Sequence, residues 1–228
     1  MIIAATGLQR EARIAAGDDV QTVCCGGRSD VLAGKLRVVL DGNVSGIISF
    51  GVCGGLSSRL RPGDCIIATE IVTGSTRIHT DRPWSERLSQ RLPKAITGPL
   101  AGTDVLLQSA AQKHALFVQT GALAADMESH IAADAARRHQ IPFVCLRAVA
   151  DAADSDLPQS ALSALDEHGC VQIRAVLQSV LKNPHQLPAL IRAARSSNAA
   201  FAALFRCRGA LGRGLAGPNL GEPAFDVA

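Results

Sequence analysis

Six short apolar runs set the limits on what this chain can fold into. They cover residues 1–6, 20–25, 44–51, 65–72, 122–127 and 143–150, and none shows polar alternation. A strand exposed on one face alternates apolar and polar side chains, so unbroken runs suit strands covered on both faces. Stretches of helical composition lie between several of them, at residues 8–16, 29–40, 128–140 and 161–181. This alternation predicts an α/β fold: three layers around a mostly parallel, mixed central sheet with right-handed crossovers.

The chain has 228 residues, 47% hydrophobic and 19% charged, enough for one sizeable core and too apolar for general disorder. The main domain is expected over residues 1–183. Residues 184–208 read as a basic amphipathic helix, and residues 209–228, rich in Gly, Pro and Ala, as a flexible tail. The polar stretch 74–84 reads as an irregular loop near the functional site. Seven Cys, an odd number with no C-x-x-C pair, read as reduced core thiols of a cytoplasmic protein rather than a disulfide or zinc framework. The opening residues read as a core strand, so no signal peptide is expected. A net charge of +3 gives no reason to expect a nucleic-acid partner. With 3% aromatics and no Tyr, a site of stacked rings is not expected.

Several motifs fail. Gly51-Val52-Cys53-Gly54-Gly55 is not a dinucleotide fingerprint, and Gly34-Lys35 lacks the rest of a phosphate-binding loop. The His residues show no metal spacing, and there is no G-x-S-x-G elbow. No metal or organic cofactor is expected.

Three segments at strand ends, where ligands gather in α/β folds, carry the chemistry. In the first, Gly54 and Gly55 let the main chain approach a ligand, or serve a tight turn for packing. In the second, Asp126-Met127-Glu128 ends a strand and opens a helix. A carboxylate there can accept bonds from two vicinal hydroxyls while Met offers an apolar floor; alternatively Glu128 only favours the helix N-terminus. In the third, the apolar run 143–150 delivers Asp151 at its end. A carboxylic acid in a dry site has a raised pKa and suits proton donation, although Asp151 could simply cap a helix. Asp154 lies nearer the helix expected at 161–181 and fits the capping role better.

Taken in order and spacing, Gly54-Gly55, Met127-Glu128 and Arg147-Ala-Val-Ala-Asp151 resemble the nucleoside phosphorylase and nucleosidase superfamily over about residues 1–181. The resemblance implies that Met127 and Glu128 hold a ribose and that Asp151 is the acid at the purine N7. It implies that Glu11, soon after the strand-end Gly7, orients the attacking water, and that Gly7, Gly27, Gly54 and Gly55 form a backbone cradle for phosphate or water. Arg28 beside Gly27 is the phosphate candidate, with inorganic phosphate a candidate co-substrate. Val105 and Leu106 stand where many members have an aromatic residue, so with Asp126 they are the expected base pocket. Ala150 stands where many members have Ser. The implied reaction is cleavage of the N-glycosidic bond of an adenine nucleoside. Homo-oligomerisation is implied as well.

A narrower likeness runs to the hopanoid-associated phosphorylases, through Thr6-Gly7-Leu8 with Glu11–Ala15, Thr80-Asp81-Arg82 with Trp84, residues 125–129, and Leu187-Pro188-Ala189-Leu190. It implies removal of adenine from adenosylhopane, a lipid-linked nucleoside. Helical spacing over residues 187–208 places Leu187, Leu190, Ile191, Ala194, Phe201 and Phe205 on one face, flanked by Arg192, Arg195 and Arg206. An apolar face edged by Arg is expected to make peripheral membrane contact; a helix docked on the domain or on another subunit would share the pattern. The alternatives are a methylthioadenosine or adenosylhomocysteine nucleosidase, and a non-catalytic nucleoside- or lipid-binding protein.

Overall fold

The computed structural model describes residues 1–157 and 187–218. In chain order the elements are β1 (Ile2–Thr6), α1 (Gln9–Ala15), β2 (Val20–Cys24), α2 (Ser29–Val39), β3 (Gly46–Gly55), β4 (Cys65–Thr73) and β5 (Thr76–His79). They continue as α3 (Arg82–Arg91), β6 (Ile96–Gly102), α4 (Ala110–Thr120), β7 (Ala124–Asp126), α5 (Ser129–His139), β8 (Phe143–Asp151) and α6 (Leu187–Leu211). The helix expected at 161–181, together with Cys170 and the last ten residues of the tail, lies outside the described residues.

All six apolar runs are strands of one sheet, ordered β2-β1-β3-β7-β6-β4-β5, with β8 pairing both β3 and β4. Pairs β1–β2, β1–β3, β3–β8, β4–β6 and β6–β7 are parallel, whereas β3–β7, β4–β5 and β4–β8 are antiparallel. The sheet is therefore mixed and mostly parallel, as expected. The pairings also close a circuit, β3-β8-β4-β6-β7 and back to β3, which a list of apolar runs cannot reveal. Closure removes the edges of five strands and crowds their ends together.

Helices α2 and α5 cover one side through Leu32, Leu36, Ala132 and Ala136, all buried. Helices α1, α3 and α6 cover the other through Ala15, Trp84, Leu88, Ala200 and Leu204. Burial of each large aliphatic side chain in these layers stabilises the fold by about 1.5–3 kcal/mol.

Three expectations need correction. The stretch 74–84 is not an irregular loop beside the site. It contains β5 and the start of α3, which Asp81 caps by accepting from Trp84 N at 2.8 Å. Trp84 is fully buried against Gly46, at the opposite end of β3 from Gly54 and Gly55.

The tail does not fray at residue 209. Helix α6 runs to Leu211, and the turn after it buries Leu215 and Ala216. Trp84 Nε1 donates to Leu215 O at 3.0 Å and Arg87 Nε to Ala216 O at 3.0 Å, so α3 fastens the turn.

The apolar face assigned to α6 is divided. Phe201 packs into the domain with Ala200, Leu204, Cys207 and Leu211, while Phe205 is 70% exposed, with Leu187 and Ile191 also exposed. The domain claims one flank of the stripe and leaves the other open. Arg208 is a clamp: its guanidinium donates to Ala15 O, Ala16 O, Gly212 O and Arg213 O, satisfying carbonyls at the ends of α1 and α6.

Candidate active site

The C-terminal end of β1, together with the adjoining ends of β3, β7 and β8, gathers the charged side chains of the interior. Arg147, on β8, is the centre. It is fully buried, and Nε lies 2.5 Å from Asp126 Oδ2. Nη2 lies 3.2 Å from Glu128 Oε2 and donates to Ser49 Oγ at 2.7 Å. The guanidinium also stands over Gly51, where an added Cβ would collide with Arg147 and come within 2.6 Å of the Glu11 carboxyl. Gly51 is thus required for close approach, a role sequence reading gave only to its neighbours.

Glu11 is buried and bound through the backbone. Oε2 accepts from Gly7 N and Leu8 N, both at 2.8 Å, and Oε1 accepts from Val52 N at 2.8 Å. It enters because α1 begins directly after the β1 turn, with Glu11 at the third helical position reaching back to the N-cap backbone. Burial raises its pKa, against the lowering by Arg147 and the three N–H groups.

Glu128 lies on the other side of Gly7. A Cβ at Gly7 would collide with its carboxyl, so glycine is needed there too. Burial pushes Glu128 up to about 8, opposed by Arg147 and helped by Asp126 and Glu11. Gly27 joins the same corner, its N–H donating to Gly7 O at 3.1 Å.

Between about pH 4.3, the ordinary value for Glu, and 8, the folded protein holds a proton on Glu128 that the unfolded chain has released. Stability contributed by this group therefore falls as pH rises through that window. Glu128→Gln is expected to flatten the decline by up to about 1.4 kcal/mol per pH unit. Urea unfolding of both proteins between pH 5 and 8 checks this; parallel curves would contradict it.

Asp126, expected in the base pocket, has both carboxyl oxygens turned to partners inside the cluster. Its Oδ1 accepts from Glu128 N at 3.2 Å and Ser129 N at 2.9 Å, capping α5, and Oδ2 faces Arg147. Both oxygens are spent holding the cluster together. Gly54 and Gly55 sit inside the ladders with β7 and β8, Gly54 pairing with both Ala125 and Asp151. A Cβ on Gly54 would lie 3.3 Å from Asp151 Oδ2, so this glycine keeps the space above that carboxyl open.

Asp151 ends β8 and is largely buried. Burial raises its pKa, while Lys113 beside it lowers it. The Cys53 thiol, at the same end of β3, feels both Asp126 and Asp151. Lys113 was not singled out from the sequence. Two local signals pointed to it: Ser109 and Gln112 form a capping box, and a Lys one turn into a helix opposes the helix dipole. A cation placed there needs a partner, and the partner is Asp151.

The remaining expected residues lie around the rim. Met127 is half-buried between Asp126 and Glu128. Val105 is 64% exposed and Leu106 is also exposed, on a loop fixed at one end by Thr103 N to Asp126 O and at the other by Leu157 N to Gln108 O. That loop therefore runs beside the segment that follows Asp151. Arg28 is exposed and paired with Asp30 at 2.9 Å. Among the described residues no group of three His, Cys, Asp or Glu is placed to hold a metal.

The model of the Phosphorylase superfamily matches residues 10–183. Solved structures with the same fold include a 5'-methylthioadenosine/S-adenosylhomocysteine nucleosidase from Helicobacter pylori with butyl-thio-DADMe-Immucillin-A (TM-score 0.62, 17% identity, covering 79% of this chain and 97% of that one). Futalosine hydrolase of Helicobacter pylori strain 26695 matches at TM-score 0.63 and 17% identity, with the same coverage. A putative nucleosidase of the first kind from Francisella philomiragia matches at TM-score 0.66 and 17% identity, covering 92% of this chain and 96% of that one. At this identity the likeness is one of fold.

Proposed function

Because the chain belongs to the phosphorylase superfamily, we propose that it is an enzyme cleaving the N-glycosidic bond of an adenine nucleoside, with water as the nucleophile. The observation that carries this reading is that Glu11 and Glu128 meet around Arg147 and Gly7, while Asp151 stands beside Gly54 at the adjoining end of β3. Glu128, with Met127 beside it, grips the ribose hydroxyls. Asp151 gives its proton to the base N7 as the C1′–N9 electrons move onto the ring. Glu11 takes a proton from the water that adds to C1′. The sum is nucleoside plus water giving ribose and free base.

Water is favoured over phosphate on electrostatic grounds. Three acidic groups, Glu11, Asp126 and Glu128, already share one guanidinium, and Arg28 is occupied by Asp30. A phosphate dianion entering there would have to share that one guanidinium with them.

For the sugar's 5′ substituent, the reading extends to a lipid-linked nucleoside, adenosylhopane. The likeness of residues 125–129 and 187–190 to that branch supports it, as does the exposed flank of α6, where Leu187, Ile191 and Phe205 run beside Arg192, Arg195 and Arg206. Among the described residues no helix is long and apolar enough to cross a membrane, so contact would be peripheral. Subunit assembly belongs to the same reading. Methylthioadenosine or adenosylhomocysteine is the second substrate reading, favoured by the fold likeness alone.

The test is adenine release from adenosylhopane, adenosine and methylthioadenosine, each with and without inorganic phosphate. The proposal expects release without phosphate and the highest kcat/KM on adenosylhopane. Strict phosphate dependence would overturn water as nucleophile, and no release from any of the three would overturn the activity.

A further inference from the structure

The reaction above uses Asp151 but gives no task to the cation buried against it. Lys113 has no exposed surface, which for an ammonium requires partners for all of its protons. Three oxygens take them: Asp151 Oδ2, Ala152 O at 2.8 Å and Ser155 O at 2.8 Å. All three belong to the end of β8 and the loop that leaves it. The same loop is joined to the start of α4 twice more, by Ala110 N to Asp156 Oδ1 at 2.8 Å and by Leu157 N to Gln108 O at 2.8 Å. Lys113 is thus the buried centre of a four-bond seam between α4 and this loop, plus its ion pair to the carboxyl at the strand end.

We propose that Lys113 is a positioning residue for the acid of the reaction, fixing the Asp151 carboxyl toward the base and stabilising the carboxylate left when its proton is given up. This rests on the assignment of Asp151 as that acid. In the step concerned, the Asp151 O–H bond breaks and an N–H bond forms on the base. The negative charge remaining on Asp151 appears against an ammonium already in place, which needs no rearrangement at that moment. Solvent returns the proton after the products leave. Burial alone would hold the proton too firmly for a good acid; the neighbouring cation offsets part of that. Among the described residues, the Cys53 thiol from β3 also feels this carboxyl, whereas Asp156, further along its own loop, is turned to Ala110 N.

The test reads the Asp151 carboxyl directly. Protein carrying 13C-labelled Asp is titrated by NMR, with Asp151→Asn assigning the signal, and kcat/KM is followed against pH. Lys113→Gln keeps a neutral donor at the site. It is expected to raise the Asp151 midpoint by about 1–3 pH units, move the alkaline limb of kcat/KM upward with it, and lower kcat at least tenfold. Lys113→Arg keeps the charge but not the three bonds, so its midpoint is expected to stay near wild type while kcat still falls. An unmoved midpoint in Lys113→Gln overturns the proposal. Should that variant not fold, wild-type kcat in Lys113→Arg overturns it instead. If wild-type protein releases no base, the assignment of the acid fails first, and a midpoint that still moves marks Lys113 and Asp151 as a structural ion pair only.

Discussion

Asp151→Asn is expected to slow base release by about 10²–10⁴-fold, the range for loss of a general acid. The substitution keeps the shape of the side chain and its place at the end of β8, beneath the space that Gly54 leaves open. An amide has no proton acidic enough to give to N7, so the leaving base must depart with its charge unneutralised. Lys113 keeps two of its three acceptors, Ala152 O and Ser155 O, so the protein should still fold. KM should change little, because Glu128 and Met127 bear the ribose. Adenine release followed by chromatography, with melting temperature as the control for folding, measures both. A rate within threefold of wild type in a folded variant would remove Asp151 from the reaction.

The second large effect concerns stability. Arg147→Met leaves Asp126, Glu128 and Glu11 buried around an uncharged side chain of similar length. Removing one partner of a buried ion pair costs about 3–5 kcal/mol, because the charges left behind stay out of water. For a domain of this size that corresponds to a fall in melting temperature of roughly 10 °C. The loss should depend on pH. Near pH 5 Glu128, already pushed up to about 8 in the presence of the cation, is protonated, and the vacated space holds less uncompensated charge. Near pH 8 the carboxyls are forced toward ionisation without a counter-ion, so the variant should lose more there. Denaturant unfolding at both pH values gives the comparison. A loss below about 1 kcal/mol, or the same loss at both, would mean that Arg147 does not hold the cluster.

Much of the scaffold was legible because its signals are carried by adjacent residues. The runs that became β1, β3, β4 and β8 are apolar on both faces and rich in Ile and Val, which suits strands sandwiched between helices. Strand β6, Ile96–Gly102, was missed, since a Pro and two Gly interrupt its pattern. Helix α4 was missed although its capping box and its closing Gly121 in the left-handed conformation mark both ends. Low apolar periodicity obscured it.

The order of residues along the chain determined the strand runs, the glycine-bearing strand ends and the acids at residues 11, 128 and 151, because each is written in a few consecutive positions. Tertiary structure alone decided that the sheet closes through β8, that Asp126 anchors Arg147, that Trp84 lies far from the chemistry, and that Lys113 meets Asp151 across 38 positions of chain. Those outcomes depend on strand register and on which buried charges find one another, and both are settled by desolvation and packing between distant segments.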